Sequence, residues 1–130
     1  MGWRAGGMNN SVNPAVAIGQ NAGFNAQLAG AIAIGNTSGN WDQQEQSVAI
    51  GTYAGRMTLG KYSVAIGYRA GESSIPEKTI CINASGVVMS PMTPGFFVKP
   101  MTSAPSLPAG FLSVCYNPTT GEFRYISPPA

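Results

Sequence analysis

The sequence predicts an all-β chain, a parallel β-solenoid with 16-residue rungs that ends in a proline-rich β cap. Three observations favour this class. Four near-identical segments recur at a constant interval, a glycine closes each of them, and only 9% of the 130 residues are charged. Because soluble domains usually have about 25% charged residues, a turn-rich fold with few ion pairs is favoured over a helical bundle.

The repeated segment consists of a β-branched residue, a small residue, isoleucine and glycine. Each copy begins 16 residues after the previous one, without an insertion, and this spacing is here called the repeat interval. The alternation of large and small side chains has the period of two that is typical of a strand. The glycine after it permits the backbone conformations of a turn. The residues of this structural repeat are Val16, Ile18 and Gly19; Ile32, Ile34 and Gly35; Val48, Ile50 and Gly51; and Val64, Ile66 and Gly67.

The rest of each unit predicts a weaker second strand, such as the segment 57–63, MTLGKYS. Two short strands and two turns make one rung of a flat solenoid, and successive rungs then lie about 4.8 Å apart. We expect Val48 and Ile50 to face inward, because wide side chains fill a narrow core, and Ala49 to face outward. The opposite facing is the alternative.

The expected facing gives the surface a flat apolar stripe of alanines. Such a stripe is a poor solvent face and favours contact with another copy of the chain. A closed symmetric ring would cover it without leaving a free edge. The sequence therefore predicts an oligomer, although the stripe does not give the number of chains. The alanines are Ala17, Ala33, Ala49 and Ala65.

The character of the chain changes after residue 86, which divides it into a repeat region, 1–86, and a second module, 87–130. A fifth copy begins at Ile80, and the repeat interval continues faintly at Phe96 and Leu112. Eight of the ten prolines come after residue 90. Because proline is excluded from central strands, we expect the segment 91–108 to be an extended wrap or crossover that ends the solenoid.

A β-hairpin is predicted near the C-terminus. The segments LSVCY and FRYIS both alternate, and NPTTGE lies between them. Pro118 presets φ for a turn and Gly121 supplies an open backbone conformation.

The two SVAIG copies that begin at Ser47 and Ser63 resemble the YadA-type head repeat of trimeric autotransporter adhesins. The resemblance covers about residues 12–83, with two departures. The copies at Val16 and Ile32 are preceded by alanine instead of serine, and the repeat interval is slightly longer than the commonest spacing of that family. The resemblance implies a left-handed parallel β-roll and, together with the apolar stripe, a homotrimer.

The segments FFVKPMTSAP and LSVCYNPTTGE resemble a module in fibre proteins of phages and large DNA viruses. A solenoid followed by this module is similar to surface proteins of chlorella-type giant viruses that contact the host wall. The resemblance implies a fibre or spike on the virion surface that attaches to a host cell-surface polysaccharide or other glycan. The alternatives are a purely structural trimeric stalk and the head of a bacterial cell-surface adhesin.

The charges and titratable residues argue against several other functions. The net charge is +2 and the basic residues are scattered, so we expect no nucleic-acid partner. No apolar run reaches the roughly 18 residues of a membrane span, so no membrane insertion is expected. The chain has no histidine, which excludes Ser-His and Cys-His nucleophile pairs within it. We expect no enzyme activity, no cofactor and no metal site.

Aromatic residues gather on one edge when the sequence is folded at the repeat interval, with Phe24, Trp41, Tyr53 and Tyr68 within a few columns. Their rings suit the apolar faces of sugars, and neighbouring polar groups suit sugar hydroxyls. Packing along the rod or between chains is the alternative explanation. The candidate ligand-binding residues are Trp41, Asp42, Gln43, Tyr53 and Tyr68.

Overall fold

The computed structural model describes residues 2–8, 14–101, 106, 109–117, 119 and 122–126. These residues form strands and turns, and no helix occurs among them. The described part of the chain accordingly holds no helix with the length and apolar character needed to cross a membrane. The strands are β1 (Val16–Ile18), β2 (Asn25–Gln27), β3 (Ile32–Ile34), β4 (Trp41–Gln43), β5 (Val48–Ile50), β6 (Val64–Ile66), β7 (Thr79–Asn83), β8 (Gly95–Lys99), β9 (Ser113–Asn117) and β10 (Glu122–Ile126).

Six strands form one parallel sheet in the order β1-β3-β5-β6-β7-β8. Each residue pairs with the residue one repeat interval further along the chain, as Val48 pairs with Val64 and Ile80 with Phe96. Each step along this sheet is therefore one turn of a parallel β-solenoid with about five turns. The predicted all-β class and the 16-residue rung are confirmed.

The second wall of the solenoid is a narrower parallel ladder. Strand β2 pairs with β4, and single bridges join Gln43 to Leu59 and Leu59 to Ile75. Each rung therefore has two extended segments and two turns, as the sequence predicts. In the segment 57–63, all of which the structure describes, Leu59 alone makes a bridge, since the chain turns at Tyr62 with a φ of 59°.

Small side chains line the interior of the solenoid on the six-stranded wall. Ala33, Ala49 and Ala65 have no exposed surface, and Cys81 takes the same place one rung later, also fully buried. The opposite wall supplies longer side chains that are at most 3% exposed. The core therefore pairs a wall of small residues with a wall of longer ones. The longer residues are Gln27, Gln43, Leu59 and Ile75.

The predicted facing, with Val48 and Ile50 inward and Ala49 outward, is wrong. The two walls lie too close together for wide side chains on both. A Cβ added at Gly55 would lie 2.8 Å from Cδ2 of Leu59 and 3.3 Å from Cβ of Ala49, so Leu59 already fills the space in front of the alanine. Of the expected outward stripe, Ala33, Ala49 and Ala65 are therefore part of the core, and Ala17 in the first rung is half-buried.

The β-branched residues of the repeat point outward, because side chains alternate along a strand. Ile18 is 47% exposed, Ile80 41% and Ile66 37%, whereas Val48 and Ile50 are half-buried between neighbouring rungs. Together they form a contiguous surface, here called the apolar column. Its residues are Val16, Ile18, Ile32, Ile34, Val48, Ile50, Val64, Ile66, Ile80 and Ile82.

The first and last residues of the SVAIG motif have structural roles that the geometry explains. The Ser63 hydroxyl donates to the Pro76 carbonyl oxygen over 2.9 Å and accepts from the Thr79 N–H over 3.0 Å, which ties one turn to the next rung. Gly51 has a φ of 122°, and a Cβ there would lie 2.8 Å from the carbonyl oxygen of Gly67. The backbones of successive rungs therefore approach too closely for a side chain at the repeat glycine.

Strand β8 ends the six-stranded sheet, so the described part of the proline-rich segment contributes an edge strand and no central one. The faint copy at Phe96 does pair with Ile80 in the predicted register. The copy at Leu112 does not extend the parallel sheet, because β9 pairs antiparallel with β10. This hairpin was predicted from the alternation of its strands, and its turn residues Pro118 and Gly121 lie outside the described residues.

The chain divides into two units, Met1–Pro100 and Met101–Ala130. The first unit contains the solenoid with β8, and the second contains the hairpin. The division predicted after residue 86 follows the loss of glycines, whereas the sheet continues to β8. Cys81 is a free, buried thiol, and Cys115 on β9 is free and exposed.

Candidate functional site

The turn after each repeat glycine holds one residue in the left-handed region of backbone conformations. Its φ is 54° at Asn21, 56° at Thr37, 60° at Tyr53 and 56° at Arg69. Asparagine tolerates this conformation better than most residues, and a bulky residue in it stores strain. The backbone of these four turns is therefore alike, and the rungs differ in the side chains that they carry there.

Two neighbouring rungs bring five side chains together at this edge, here called the turn cluster: Tyr53, Arg56, Tyr68, Arg69 and Glu72. Arg56 Nη1 donates to Glu72 Oε1 over 3.2 Å. Arg69 donates from Nη2 to the same oxygen over 3.3 Å and from Nε to Oε2. Glu72 is only 7% exposed. A buried carboxylate thus fixes the positions of two guanidinium groups.

The two tyrosines of the turn cluster flank these guanidinium groups. Cζ of Arg56 lies 5.6 Å from the ring centroid of Tyr53, and Cζ of Arg69 lies 5.8 Å from that of Tyr68. Both distances fall within the range of about 6 Å for cation–π attraction. Tyr68 is 45% exposed, and the side chains of Arg56 and Arg69 are 41% and 37% exposed. Solvent therefore reaches aromatic rings and guanidinium groups together.

Hydrogen bonding from Arg69 lowers the pKa of the Glu72 carboxyl group, and Arg56 acts in the same direction. Burial of Glu72 opposes this shift without reversing it. The hydrogen bond to Glu72 also raises the pKa of Arg69. Glu72 is therefore ionised at neutral pH, and the turn cluster has two positive charges and one negative charge.

Trp41 and Asp42 lie on β4, next to the turn cluster along the stack. The backbone N–H of Trp41 donates to the carbonyl oxygen of Arg56 over 2.9 Å, so the two residues are one strand spacing apart. Trp41 is 48% exposed. Asp42 is also exposed, and its Oδ1 accepts a hydrogen bond of 2.6 Å from Gln44 Nε2. Both predicted residues are thus accessible from solvent.

Gln43 is placed differently from the other candidate residues. It has no exposed surface, and its Nε2 donates to the carbonyl oxygens of Ile32 over 2.8 Å and Ser47 over 3.4 Å. Its Oε1 is buried without a hydrogen-bond partner among the described residues. Asp42 has a φ of 54°, which interrupts the regular alternation of β4, so Gln43 faces the core although Trp41, two residues earlier, is exposed. The amide of Gln43 is therefore not available to hydrogen-bond the hydroxyls of a surface ligand.

The structure brings Tyr53 and Tyr68 together and sets Trp41 beside them. Phe24 lies two rungs away, with its ring centroid 5.4 Å from Cζ of Arg4. The sequence analysis missed the arginines and Glu72. A signal was present, because Arg56 and Glu72 are one repeat interval apart, the separation that stacks opposite charges on successive rungs.

The other turn of the rung also carries a stacked ion pair. Lys61 Nζ lies 2.6 Å from Oε2 of Glu45, which is one repeat interval earlier in the chain. Tyr62 in the same turn is 53% exposed. One rung later the same edge carries a second pair, with Lys78 Nζ 3.2 Å from Oε1 of Glu77. Each cation of these pairs has a carboxylate of its own, whereas the turn cluster has two cations on one carboxylate, so the two edges offer different surfaces to a ligand.

Comparison of the chain with protein families, with curated proteins and with solved structures finds no match.

Proposed function

We propose that the chain is a segment of a trimeric surface fibre or spike that attaches to a glycan on a host cell. The apolar column carries this proposal. It is a row of outward Val and Ile side chains along a regular sheet, and contiguous exposed apolar surface of this kind marks a contact with another molecule. A symmetric homo-oligomer buries the same surface on every chain.

The number of three chains and the left-handed course of the roll follow the resemblance to YadA-type head repeats. In this arrangement the apolar columns of three chains face one another, and the edges with the turn cluster remain outside. The proline-rich segment with β8 then closes the end of the roll, which keeps its last rung from pairing with other chains.

The glycan-binding role is supported by Trp41, Tyr53 and Tyr68, whose rings lie on or beside one accessible edge. Three identical sites on one fibre would raise a weak affinity through avidity. The proposed location is the virion surface, or a bacterial cell surface if the chain is an adhesin head. We propose a binding role and no catalysis.

The proposed function can be tested on immobilised polysaccharides, with chitin, cellulose, mannan, dextran, polygalacturonate and dextran sulfate as probes. The full chain should be retained by at least one of them. Trp41→Ala and Tyr68→Ala should each weaken retention at least about tenfold, as expected when an aromatic contact at the centre of a site is lost.

Tyr62→Ala is the matched control, because Tyr62 is similarly exposed but lies in the other turn of the rung. Its retention should equal that of the unmodified chain. If no polysaccharide retains the chain, or if the Trp41 and Tyr68 variants bind as well as the unmodified chain, the structural stalk is the better explanation.

A further inference from the structure

We propose that the turn cluster binds the acidic group of an acidic polysaccharide, a carboxylate or sulfate ester that sits against Arg56 and Arg69 while its sugar ring lies on the neighbouring tyrosines. This inference rests on the proposed glycan-binding function and specifies the class of glycan.

The fold itself does not require charged or aromatic residues in this turn. Two earlier rungs hold neutral residues at the equivalent places, Asn21 and Thr37, with nearly the same φ. Their neighbours Gln20 and Asn36 also stack, with Asn36 Nδ2 donating to Gln20 Oε1 over 3.0 Å. Neutral residues therefore occupy the same turn in the same repeat, so the backbone of the turn does not itself require the arginines and tyrosines of the turn cluster.

The residues of the turn cluster occupy the turn at a conformational cost. Tyr53 and Arg69 have φ values of 60° and 56°, where asparagine is favoured over long or aromatic residues. Similar φ values occur in the other turn, 59° at Tyr62 and 58° at Lys78, so this conformation belongs to the repeat and does not by itself mark a binding site. What distinguishes the edge of the turn cluster is that the residues in this conformation on two successive rungs, Tyr53 and Arg69, belong to one group of contacting side chains.

The guanidinium groups retain donors for a ligand. Each has five N–H groups, of which Arg56 uses one and Arg69 uses two on Glu72. Glu72 acts as a positioning residue, because its buried carboxylate orients the guanidinium groups of Arg56 and Arg69. The single carboxylate leaves one of their two positive charges uncompensated. Planar guanidinium groups with spare donors match the oxygens of carboxylates and sulfates.

The flanking aromatic side chains favour a sugar over an acidic peptide. Tyr68 is 45% exposed and Trp41 48% exposed, so the acidic group would be bound next to flat apolar surfaces. A saccharide ring has an apolar face of similar size beside its charged substituent. A glutamate side chain has a single charge on a flexible stem and offers no such face.

The test measures binding of the full chain to polygalacturonate, dextran sulfate, uncharged dextran and polyglutamate in low salt. We expect at least one acidic polysaccharide to bind at least about tenfold more tightly than dextran, which lacks the charge-assisted contact, and more tightly than polyglutamate, which lacks the apolar face of a sugar. Binding should weaken as salt rises, because exposed charges are screened.

The decisive variant replaces the charged residues with those of an earlier rung: Arg56→Asn, Arg69→Thr and Glu72→Asn together. It removes two positive charges and one negative charge, so the net charge falls by one, as it does in the control Lys61→Gln on the other edge. The triple variant should lose about 10- to 100-fold in affinity for the acidic polysaccharide, and Lys61→Gln should not. Circular dichroism verifies that both variants keep their β structure.

Several results would overturn the inference. Equal losses in the triple variant and in Lys61→Gln would show non-specific attraction to the net charge. Equal binding of polyglutamate would show a preference for charge without sugar. Binding of uncharged dextran at the same affinity would leave the glycan-binding function standing without the acidic preference, whereas no binding to any polysaccharide would remove both. If the triple variant fails to fold, Tyr68→Ala decides, since it should weaken binding to the acidic polysaccharide and not to polyglutamate.

Discussion

At the scale of single residues, Glu72 is the buried charged residue among those that the structure describes in the first unit. It is buried, and its carboxylate accepts hydrogen bonds from two arginines on two rungs. Removing its charge leaves two guanidinium groups without their common partner. The residue therefore links stability to pH at the same place where the proposed ligand binds.

Acid should destabilise the chain through Glu72. The pKa of this carboxyl group is lowered by its hydrogen bond from Arg69. The stabilisation is therefore complete above its unfolded pKa of about 4.3 and is lost as the pH falls through the lower folded value. We expect Glu72→Gln to melt below the unmodified chain at pH 7 and the gap to close toward pH 3. Thermal unfolding from pH 3 to 7 measures this, and two parallel curves would contradict it.

At the scale of structural elements, the thickness of the solenoid depends on a wall of small side chains that faces a wall of longer ones. Ala49 on β5 is fully buried against the wall that holds Leu59. Ala49→Val should reduce the free energy of unfolding by about 1–3 kcal/mol, because added methyl groups overpack a filled core. The control Ser74→Val adds a side chain of the same shape at an exposed position and should change stability little.

Urea denaturation of both variants measures the difference. If Ala49→Val is as stable as Ser74→Val, the alanines do not line the core and the assignment of the two faces is incorrect.

The sequence predicted the order of elements better than their orientation. The constant repeat interval defines which strands pair, and Val48 does lie opposite Val64. The facing could not be obtained from the motif alone, because the motif alternates large and small residues and either set suits a core. What decides it is the opposite wall, where Leu59 and Ile75 fill the interior. Comparing the repeated motif with the second extended segment of each rung would have indicated that only small residues fit opposite Leu59 and Ile75.

The candidate site was predicted in part, because the repeat interval shows which residues stack on successive rungs. Folding the sequence at the repeat interval placed Tyr53 and Tyr68 on one edge, and the structure sets them among Arg56, Arg69 and Glu72. Gln43 was misplaced because regular alternation puts it on the same face as Trp41, whereas the positive φ of Asp42 breaks this alternation and turns Gln43 inward. Neither proximity in sequence nor the parity of strand positions indicates such a break.

At the scale of the whole molecule, the reversal of the two faces strengthens the case for self-association. The expected contact surface was a stripe of alanines, which offers little apolar area. The apolar column offers Val and Ile side chains instead, with Ile18 47% and Ile80 41% exposed. Burial of such side chains is worth about 1.5–3 kcal/mol each when complete, so three chains with facing columns would gain far more than the alanines could give.

The measurement that tests this account most directly is the solution mass of the full chain, by light scattering after size exclusion at several concentrations. The account predicts about 40 kDa, three times the chain mass of 13.4 kDa, at every concentration. Ile50→Asp, which adds a charge to the apolar column, should reduce the mass to that of one chain, and Ser74→Asp should not. An unmodified chain that elutes as a monomer at 13.4 kDa would contradict the trimer and the role of the apolar column.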